Sequence, residues 1–268
     1  MYRYVLGYTM KLYFYTKSNF SMKSKFTCLI ICILLFACNN KNTLSFEPLT
    51  IATDSCENCT TVTIEIPNAK GNTKLSETIN SALEGEIIAL LNFDEESNAQ
   101  NLEDAKKAFV FDYEELNGKF PEESMPWEAN IEGTITHENE EIITIEIQSY
   151  IYTGGAHGYG TNRYLNFDKV KGSELYQENL FKDIDGFKSF AETLFRKQEN
   201  IPATGSINDT GFMFETESFY LPDNIGYTEN GLILFYEPYE IASFADGPII
   251  LTIPYTDANP FLNFPQKL

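Results

Sequence analysis

Residues 143–160 read ITIEIQSYIYTGGAHGYG, and this stretch decides the fold class. Its isoleucines occupy alternate positions and are separated by Thr, Glu and Gln, which is the period of a strand with one buried face. A similar alternation around Ile131 and Ile135 precedes it, and the charged residues 137–141 between the two runs suit a short hairpin connection. The stretch therefore predicts antiparallel strands, the second of which runs into a glycine-rich bend.

Amphipathic helices are predicted on both sides of this hairpin in the sequence. Apolar residues recur every four positions from Leu75 to Leu91, which predicts a helix with one apolar face. A second helix is predicted over Leu102–Leu116, and a third follows Asp185, a residue type suited to capping a helix. Further strands are predicted over 60–66, 163–167, 232–236 and 249–253, with Asn230-Gly231 as a hairpin turn.

These elements predict an α+β fold. It consists of two small mixed α/β units, over residues 60–168 and 169–264, in which antiparallel sheets pack against amphipathic helices. Residues 249–253 are almost entirely apolar, so we expect them to form a central strand. The polar, mixed residues 38–59 are predicted to be a tether ahead of the fold.

The first 37 residues predict export. From Met22, two lysines precede an apolar run from Phe26 to Ala37, which matches a secretory signal and is too short to cross a bilayer. The run ends in Leu-Phe-Ala-Cys38 and resembles a bacterial lipobox, although Phe36 is bulkier than the usual residue. We predict a signal peptide over 22–37 and a lipid on Cys38; an uncleaved anchor or a plain cleaved signal is the alternative.

Residues 1–21 are longer than a secretory n-region needs, and we interpret them as a non-translated extension. The predicted location is the cell envelope, with the protein held on a membrane by its lipid. Asn39, Asn40 and Lys41 are not the acids that often follow the cysteine of surface-exported lipoproteins. They favour the periplasmic side of an outer membrane.

Cys56 and Cys59 are predicted to form a disulfide, because they are an even pair in an oxidising compartment. A thioredoxin-type site would open a helix after a strand, whereas here a strand-like run follows. Half of a zinc site is the other alternative. It would need two more ligands, and the processed chain offers only His137 and His157.

The charge is strongly negative, with 19 Lys+Arg against 39 Asp+Glu. Removal of residues 1–37 takes away five cations and no acids, leaving 14 against 39, a net charge of −25. Nucleic-acid binding relies on cationic contacts to phosphates, so no nucleic-acid partner is expected. A basic partner would be attracted, although a solvated acidic surface is the plainer interpretation.

Two blocks of residues resemble a known family. The first block is Tyr-Thr-Gly-Gly-Ala-His over 152–157, followed by Asn-Phe-Asp over 166–168 and Leu180-Phe181. The second includes Asn-Gly-Leu over 230–232, Glu-Pro-Tyr-Glu-Ile-Ala over 237–242, Gly247, and Ile-Pro-Tyr over 253–255. Together they resemble the paired domains of unknown function 4163 and 3298, shared by RsiV-type anti-sigma factors and the non-catalytic N-terminal region of PdaC-type peptidoglycan deacetylases.

The resemblance implies an α+β fold in the envelope. In the anti-sigma proteins the extracellular role is binding lysozyme, a basic protein, which the acidic surface here would suit. Sigma-factor control does not carry over, because a cytoplasmic segment and a membrane span are expected to be absent. The deacetylase catalytic region is likewise expected to be absent from this chain.

We therefore predict that the chain is not an enzyme, needs no cofactor or metal, and has no catalytic residues. No zinc motif or G-x-S-x-G elbow is present, and an Asp-Ile-Asp-Gly run at 183–186 lacks the first ligand of a calcium loop. The leading hypothesis is a ligand-binding module for peptidoglycan, another glycan, or a basic protein such as lysozyme. A glycan hydrolase using unidentified carboxylates and a structural assembly factor are the alternatives.

The glycine-rich bend supplies the candidate ligand site. Its glycines allow positive φ and close approach of the backbone to a partner. The side chains around it combine aromatic rings with hydrogen-bonding groups, which suits a lip for glycan or protein. The alternative is a tight bend whose histidine bonds the local backbone and locks the two units together. The predicted lip residues are Tyr152, Gly154, Gly155, His157 and Tyr159.

Overall fold

The computed structural model describes residues 43–54, 56, 58–71, 73–92, 99–121 and 125–267. The predicted extension (1–21), the signal peptide (22–37) and Cys38 all lie outside the described residues. Within the described ranges, no helix has the length and apolar character needed to span a bilayer.

The first sheet has six strands that lie side by side in chain order. They are β1 (Ser45–Ala52), β2 (Thr61–Lys70), β3 (Glu128–Glu138), β4 (Ile142–Tyr152), β5 (Tyr159–Asp168) and β6 (Ser173–Leu175). Helices α1 (Lys74–Leu91) and α2 (Leu102–Lys119) connect β2 to β3. These two strands are consequently parallel, because only a long crossover allows that pairing, whereas the other neighbouring pairs are antiparallel.

The core of the six-stranded sheet follows the predicted periodicities. Alternate isoleucines of β4 are almost fully buried, and the four-residue apolar repeat of α1 faces them from Leu75 to Leu91. The helix begins where Thr73 caps it, since the Thr73 hydroxyl accepts a hydrogen bond from the Ser76 N–H (3.2 Å). Sequence periodicity therefore located this core correctly.

The second sheet has three strands, β7 (Ile225–Thr228), β8 (Gly231–Tyr236) and β9 (Ile249–Ile253), in that order. The elements that accompany it are α3 (Gln177–Leu180), α4 (Ile184–Gln198), a 3-10 turn (Phe244–Asp246) and α5 (Tyr255–Ala258). Its core is rich in aromatic rings, and α4 contributes Phe187, Ala191 and Phe195. The predicted α+β class of sheets packed with helices is confirmed, with one parallel strand pair in the first sheet.

Three local features differ from the predictions. Strand β9 was predicted to be central, but it lies at an edge of its sheet and β8 is the central strand. The run at 249–253 is apolar because Leu251 and Ile253 are buried against the core, although β9 has only one neighbouring strand. The cap of α4 is Asp183 and not Asp185, because the Asp183 carboxylate accepts from the Gly186 N–H (2.9 Å). The β7–β8 loop is residues 229–230, and Gly231 begins β8.

Residues 45–52, inside the predicted tether, form strand β1. They pair with β2 along the whole strand, from Ser45 opposite Lys70 to Ala52 opposite Thr63. Phe46, Leu49 and Ile51 pack against the core of the six-stranded sheet. An edge strand has only one neighbour and little buried surface, so its sequence is more polar than that of a central strand.

A buried chain of hydrogen bonds attaches the two sheets to each other. The Thr144 hydroxyl donates to the side-chain oxygen of Asn166 (2.8 Å), and the Asn166 amide donates to the Ile225 carbonyl (2.7 Å). On the neighbouring strand β3, at the same end of the sheet, the Thr136 hydroxyl donates to the Tyr227 carbonyl (2.9 Å). The three-stranded sheet thus covers one end of the outer face of the six-stranded sheet.

His137 lies in this contact at a bulge of β3, with its ring 5.7 Å from that of Tyr227 and 6.0 Å from that of Tyr255. Its Nε2 is buried and makes no hydrogen bond within the described part of the chain. Burial lowers the pKa of His137 below 6.5, although the Gln266 side chain and the charge of Glu138 oppose this shift. Protonation of this imidazole is therefore less favourable in the folded protein than in the unfolded chain.

Acidification should destabilise the folded protein through His137. The unfolded chain takes up a proton on this histidine at about pH 6.5, whereas the folded chain resists it, so the free energy of unfolding falls as the pH falls through that value. Urea denaturation between pH 7.5 and 5 should show a smaller loss for His137→Gln than for the wild type. Equal pH dependence in the two proteins would contradict this assignment.

Candidate ligand-binding site

Three of the predicted lip residues lie in the bend between β4 and β5, and the other two flank it, with Tyr152 ending β4 and Tyr159 beginning β5. Gly154 and Gly155 adopt φ values of +102° and +88°, which side chains with a Cβ rarely tolerate. The Tyr152 hydroxyl donates to the Gly155 carbonyl (3.1 Å) and closes the bend. Tyr152 is thus engaged in shaping the loop, whereas His157 and Tyr159 are exposed beyond it.

Four aromatic rings meet at this end of the molecule. The ring of Phe244, from the 3-10 turn, lies 4.3 Å from that of His157 at an interplanar angle of 16°. Tyr239 stacks on the same phenylalanine at 5.3 Å and 28°, and Tyr159 lies 6.5 Å from it. We call His157, Tyr159, Tyr239 and Phe244 the aromatic patch. The aromatic patch joins the bend between β4 and β5 to the chain that follows β8.

Tyr239 is strongly exposed, with 65% of its surface accessible. Its φ is +71°, a left-handed conformation that costs a residue other than glycine roughly 1 kcal/mol or more. A strained backbone that turns a large ring outward is typical of a binding position. Sequence reasoning placed Tyr239 only inside a family motif and missed Phe244, because neither residue falls in a periodic pattern.

Two half-buried carboxyl groups lie beside the aromatic patch. The Thr161 hydroxyl donates to one oxygen of Glu237, and the other oxygen is buried without a hydrogen-bond partner in the described part of the chain. Burial raises the pKa of Glu237, an effect that the Thr161 hydrogen bond opposes and the neighbouring Glu240 reinforces. Burial likewise raises the pKa of Glu240.

Tyr159 connects the rings to these acids. Burial raises the pKa of its phenol, and the nearby charges of Glu237 and Glu240 raise it further. Glu240 is held in place because its carboxylate accepts from the Glu237 backbone N–H (2.9 Å). The site therefore combines an exposed aromatic surface with hydrogen-bond acceptors that are already ordered.

Asn224 positions the chain around β8 against β5. Strand β6 pairs only with residues 166–168 of β5, so the earlier part of β5 is an open edge. The Asn224 side chain occupies that edge: its oxygen accepts from the Tyr164 N–H (2.8 Å), and its amide donates to the Asn162 carbonyl. Asn224 is 4% exposed and replaces a strand partner there.

The two histidines contact different aromatic rings, His137 those of Tyr227 and Tyr255 and His157 that of Phe244. In the ranges that the structure covers, no three or more His, Cys, Asp or Glu side chains are grouped so that they could hold a metal ion. The disulfide between Cys56 and Cys59 stays a prediction. Their Cα atoms lie 5.9 Å apart, within the range that such a bridge needs.

Comparison with known proteins defines the class of the chain. Residues 54–159 match the family model described as deacetylase PdaC, and residues 173–256 match the model described as a protein of unknown function, DUF3298. The chain is thus an α+β protein in which a region similar to PdaC is followed by a region similar to DUF3298.

The chain is similar to one curated protein and to two solved structures. The peptidoglycan-N-acetylmuramic acid deacetylase PdaC of Bacillus subtilis (strain 168) is 24% identical over 120 residues, which are 43% of this chain and 25% of that protein. A solved DUF3298 family structure from Bacteroides fragilis NCTC 9343 has a TM-score of 0.66 at 19% identity, covering 85% of this chain and 96% of that one. One from Pseudomonas aeruginosa PAO1 has a TM-score of 0.59 at 16% identity, covering 85% and 99%. The solved structures show the fold.

The prediction that the chain is not an enzyme is wrong. The curated relative that matches the chain is named as a deacetylase, so similarity points towards an enzyme and not away from one. The matched segment spans only a quarter of that relative. The lack of a familiar motif in the sequence was therefore an insufficient reason to exclude catalysis.

Proposed function

We propose that the chain is a cell-envelope protein that binds peptidoglycan glycan at the aromatic patch. The observation that carries this proposal is Tyr239, an exposed ring displayed by a strained backbone and stacked on Phe244. The negative face of an aromatic ring attracts the polarised C–H groups of a sugar. The half-buried carboxyl group of Glu240, which lies near Tyr159, would accept a hydrogen bond from a sugar hydroxyl.

The name of the curated relative supports the choice of ligand, since that protein is described as acting on peptidoglycan N-acetylmuramic acid.

We further propose that residues 60–168 and 169–264 act as two units and that the first corresponds to domain of unknown function 4163. In this proposal, a signal peptide over 22–37 directs export, and a lipid on Cys38 holds the protein at the periplasmic side of an outer membrane.

The test replaces Tyr239 with glycine. The change removes the ring and also relieves the left-handed backbone, so the folded protein should keep its stability or gain about 0.5 kcal/mol. Calorimetry with soluble muropeptides should show binding about tenfold weaker, which corresponds to about 1.4 kcal/mol. Tyr176→Ala removes an equally solvent-facing ring (57% exposed) away from the aromatic patch and should bind like the wild type. Equal affinity in all three proteins would refute the site.

A basic protein such as lysozyme is an alternative partner for the same surface. The net charge of −25 expected after processing would attract it, and an arginine or lysine would find both ring faces and carboxylates at the aromatic patch. Such binding should weaken steeply between 50 and 300 mM salt, whereas glycan stacking should change little. The salt dependence therefore separates the two partners.

Glu237 makes deacetylation the second candidate function. Burial raises the pKa of this carboxyl group towards the range that suits a general base or acid. Its second oxygen is buried without a hydrogen-bond partner in the described part of the chain, so catalysis would require a water molecule to reach that oxygen. Glu237 would remove a proton from water as the water oxygen attacks an acetamido carbonyl, and return it as the C–N bond breaks, releasing acetate and a free amine. Acetate release from N-acetylated muropeptides, lost in Glu237→Gln with binding retained, is the expected result. No release by the wild type would reject catalysis and leave the binding proposal standing.

A further inference from the structure

The strand register of the six-stranded sheet aligns two rows of side chains on its outer face. One row is Thr63, Asn130, Tyr150 and Gly160, and the other is Glu65, Glu132, Gln148 and Asn162. Their chain neighbours Ile64, Ile131 and Ile147 are buried on the helix side, so both rows lie on the opposite face. The three-stranded sheet covers this face around Thr136, Tyr164 and Asn166, whereas the residues of the two rows are exposed or only partly buried.

The two rows line a cleft of about 470 Å³, a volume typical of small-molecule sites. Strands lie about 4.8 Å apart, so the four strands give the cleft a length of about 14 Å. That length accommodates two to three linked sugar rings. The cleft is separate from the aromatic patch, because Tyr159 pairs with Ile151 and therefore leaves the sheet on the other face.

Tyr150 forms a wall at one end of the cleft. A Cβ added to Gly158 would lie 2.6 Å from the Cε2 of this ring, so the glycine lets the ring lie close to the backbone of the bend. The ring is 42% exposed. Gly160 lies directly opposite Tyr150 in the register and leaves the floor open beside it. A flat exposed ring beside an open floor is suited to a sugar ring.

The polar groups of the cleft define the charge of its ligand. Its lining has carboxylates, amides and hydroxyls, and contains no lysine or arginine. Glu65 and Glu132 are directly opposite each other, an arrangement of like charges that destabilises a bare sheet. Among the described residues, the side chains of Glu65, Glu132 and Gln148 have no hydrogen-bond partner. Neutral hydroxyl and amide donors would use these acceptors, whereas an anion would be repelled.

We propose that this cleft is a second binding site, specific for an uncharged saccharide. A sugar ring stacks on Tyr150, and hydroxyl and acetamido groups donate to Glu65, Glu132 and Gln148. The inference goes beyond the proposed function, since it uses other residues on another face. A chain with both sites would contact a glycan strand at two positions.

Gly160→Tyr tests the cleft by filling it. The nearest atom to a Cβ at this position is the Ser149 carbonyl oxygen at 3.6 Å, so a side chain fits without displacing the backbone. Calorimetry with chitotriose, an uncharged trimer of N-acetylglucosamine, should show binding to the wild type and at least tenfold weaker binding at this site in Gly160→Tyr. Thr134→Tyr places the same side chain on the same face outside the cleft and should bind like the wild type.

Other variants keep the two sites distinguishable. Gln148→Ala removes an exposed acceptor and should also weaken chitotriose binding, which preserves the test if Gly160→Tyr folds poorly. Tyr239→Gly should still bind chitotriose at the cleft with the affinity of the wild type. If Tyr239→Gly lost chitotriose binding while Gly160→Tyr and Gln148→Ala bound like the wild type, the cleft would be rejected as a binding site. The aromatic patch would then remain as the site of binding. No chitotriose binding by the wild type would overturn the cleft as well.

Discussion

Replacing Phe195 with alanine is expected to lower the free energy of unfolding by about 3–5 kcal/mol. Phe195 is fully buried on α4 and stands at the centre of the aromatic core of the three-stranded sheet. Its ring lies 5.2–5.8 Å from those of Phe212, Phe214, Phe219 and Tyr236. Its removal reduces the buried apolar surface and leaves a cavity. The surrounding rings cannot easily move into that cavity because they already pack against one another.

Urea denaturation of the purified protein measures this effect. Phe111→Ala is the matched control, because Phe111 is also helical but is 61% exposed, and its loss should change the free energy of unfolding by less than about 0.5 kcal/mol. A cost below about 1 kcal/mol for Phe195→Ala would mean that the three-stranded sheet does not have the packed aromatic core described above.

Asn224→Ala is expected to lower the free energy of unfolding by about 2–4 kcal/mol. The substitution leaves the Tyr164 N–H and the Asn162 carbonyl without the partners they have in the folded protein. Each unpaired buried group costs about 1–3 kcal/mol. Because Asn224 also holds the chain around β8 against β5, the aromatic patch should lose its alignment, and muropeptide binding should weaken together with stability.

Two comparisons sharpen this prediction. Asn224→Asp keeps the acceptor for the Tyr164 N–H, loses the donor to the Asn162 carbonyl, and places a second acid near Glu237, so it should also be destabilising. Asn263→Ala removes an exposed side chain whose amide donates to the Asn179 carbonyl, and should cost less than about 1 kcal/mol. Equal stability of Asn224→Ala and Asn263→Ala would contradict the role of Asn224 at the strand edge.

Local patterns in the sequence were sufficient to predict much of the fold. The apolar repeat from Leu75 to Leu91 and the alternating isoleucines of β4 are consequences of one buried face, and both elements occur as predicted. Strand β1 was missed because Pro48 and its polar neighbours belong to an edge, where burial leaves little pattern. The central position assigned to β9 was wrong because apolar content reports burial and does not report the number of neighbouring strands.

The candidate sites depend on relations that no local pattern contains. His157 and Phe244 are far apart in the sequence and meet only because Asn224 and the chain after β8 dock on β5. The cleft requires the register of four strands, including the parallel pair β2 and β3. The raised pKa of Glu237 arises from burial, so the sequence could not distinguish this carboxyl group from 38 other acids. The exclusion of an enzyme from sequence motifs was wrong for a different reason, since a curated relative that matches the chain is named as a deacetylase.

The most direct test of the central claim, that the aromatic patch binds peptidoglycan glycan, is amide chemical-shift mapping during titration with a muropeptide. We predict saturable shifts concentrated in the bend at 157–159 and in the segment 239–244, which are absent in Tyr239→Gly. Shifts confined to other parts of the protein, with these two segments unchanged, would contradict the claim.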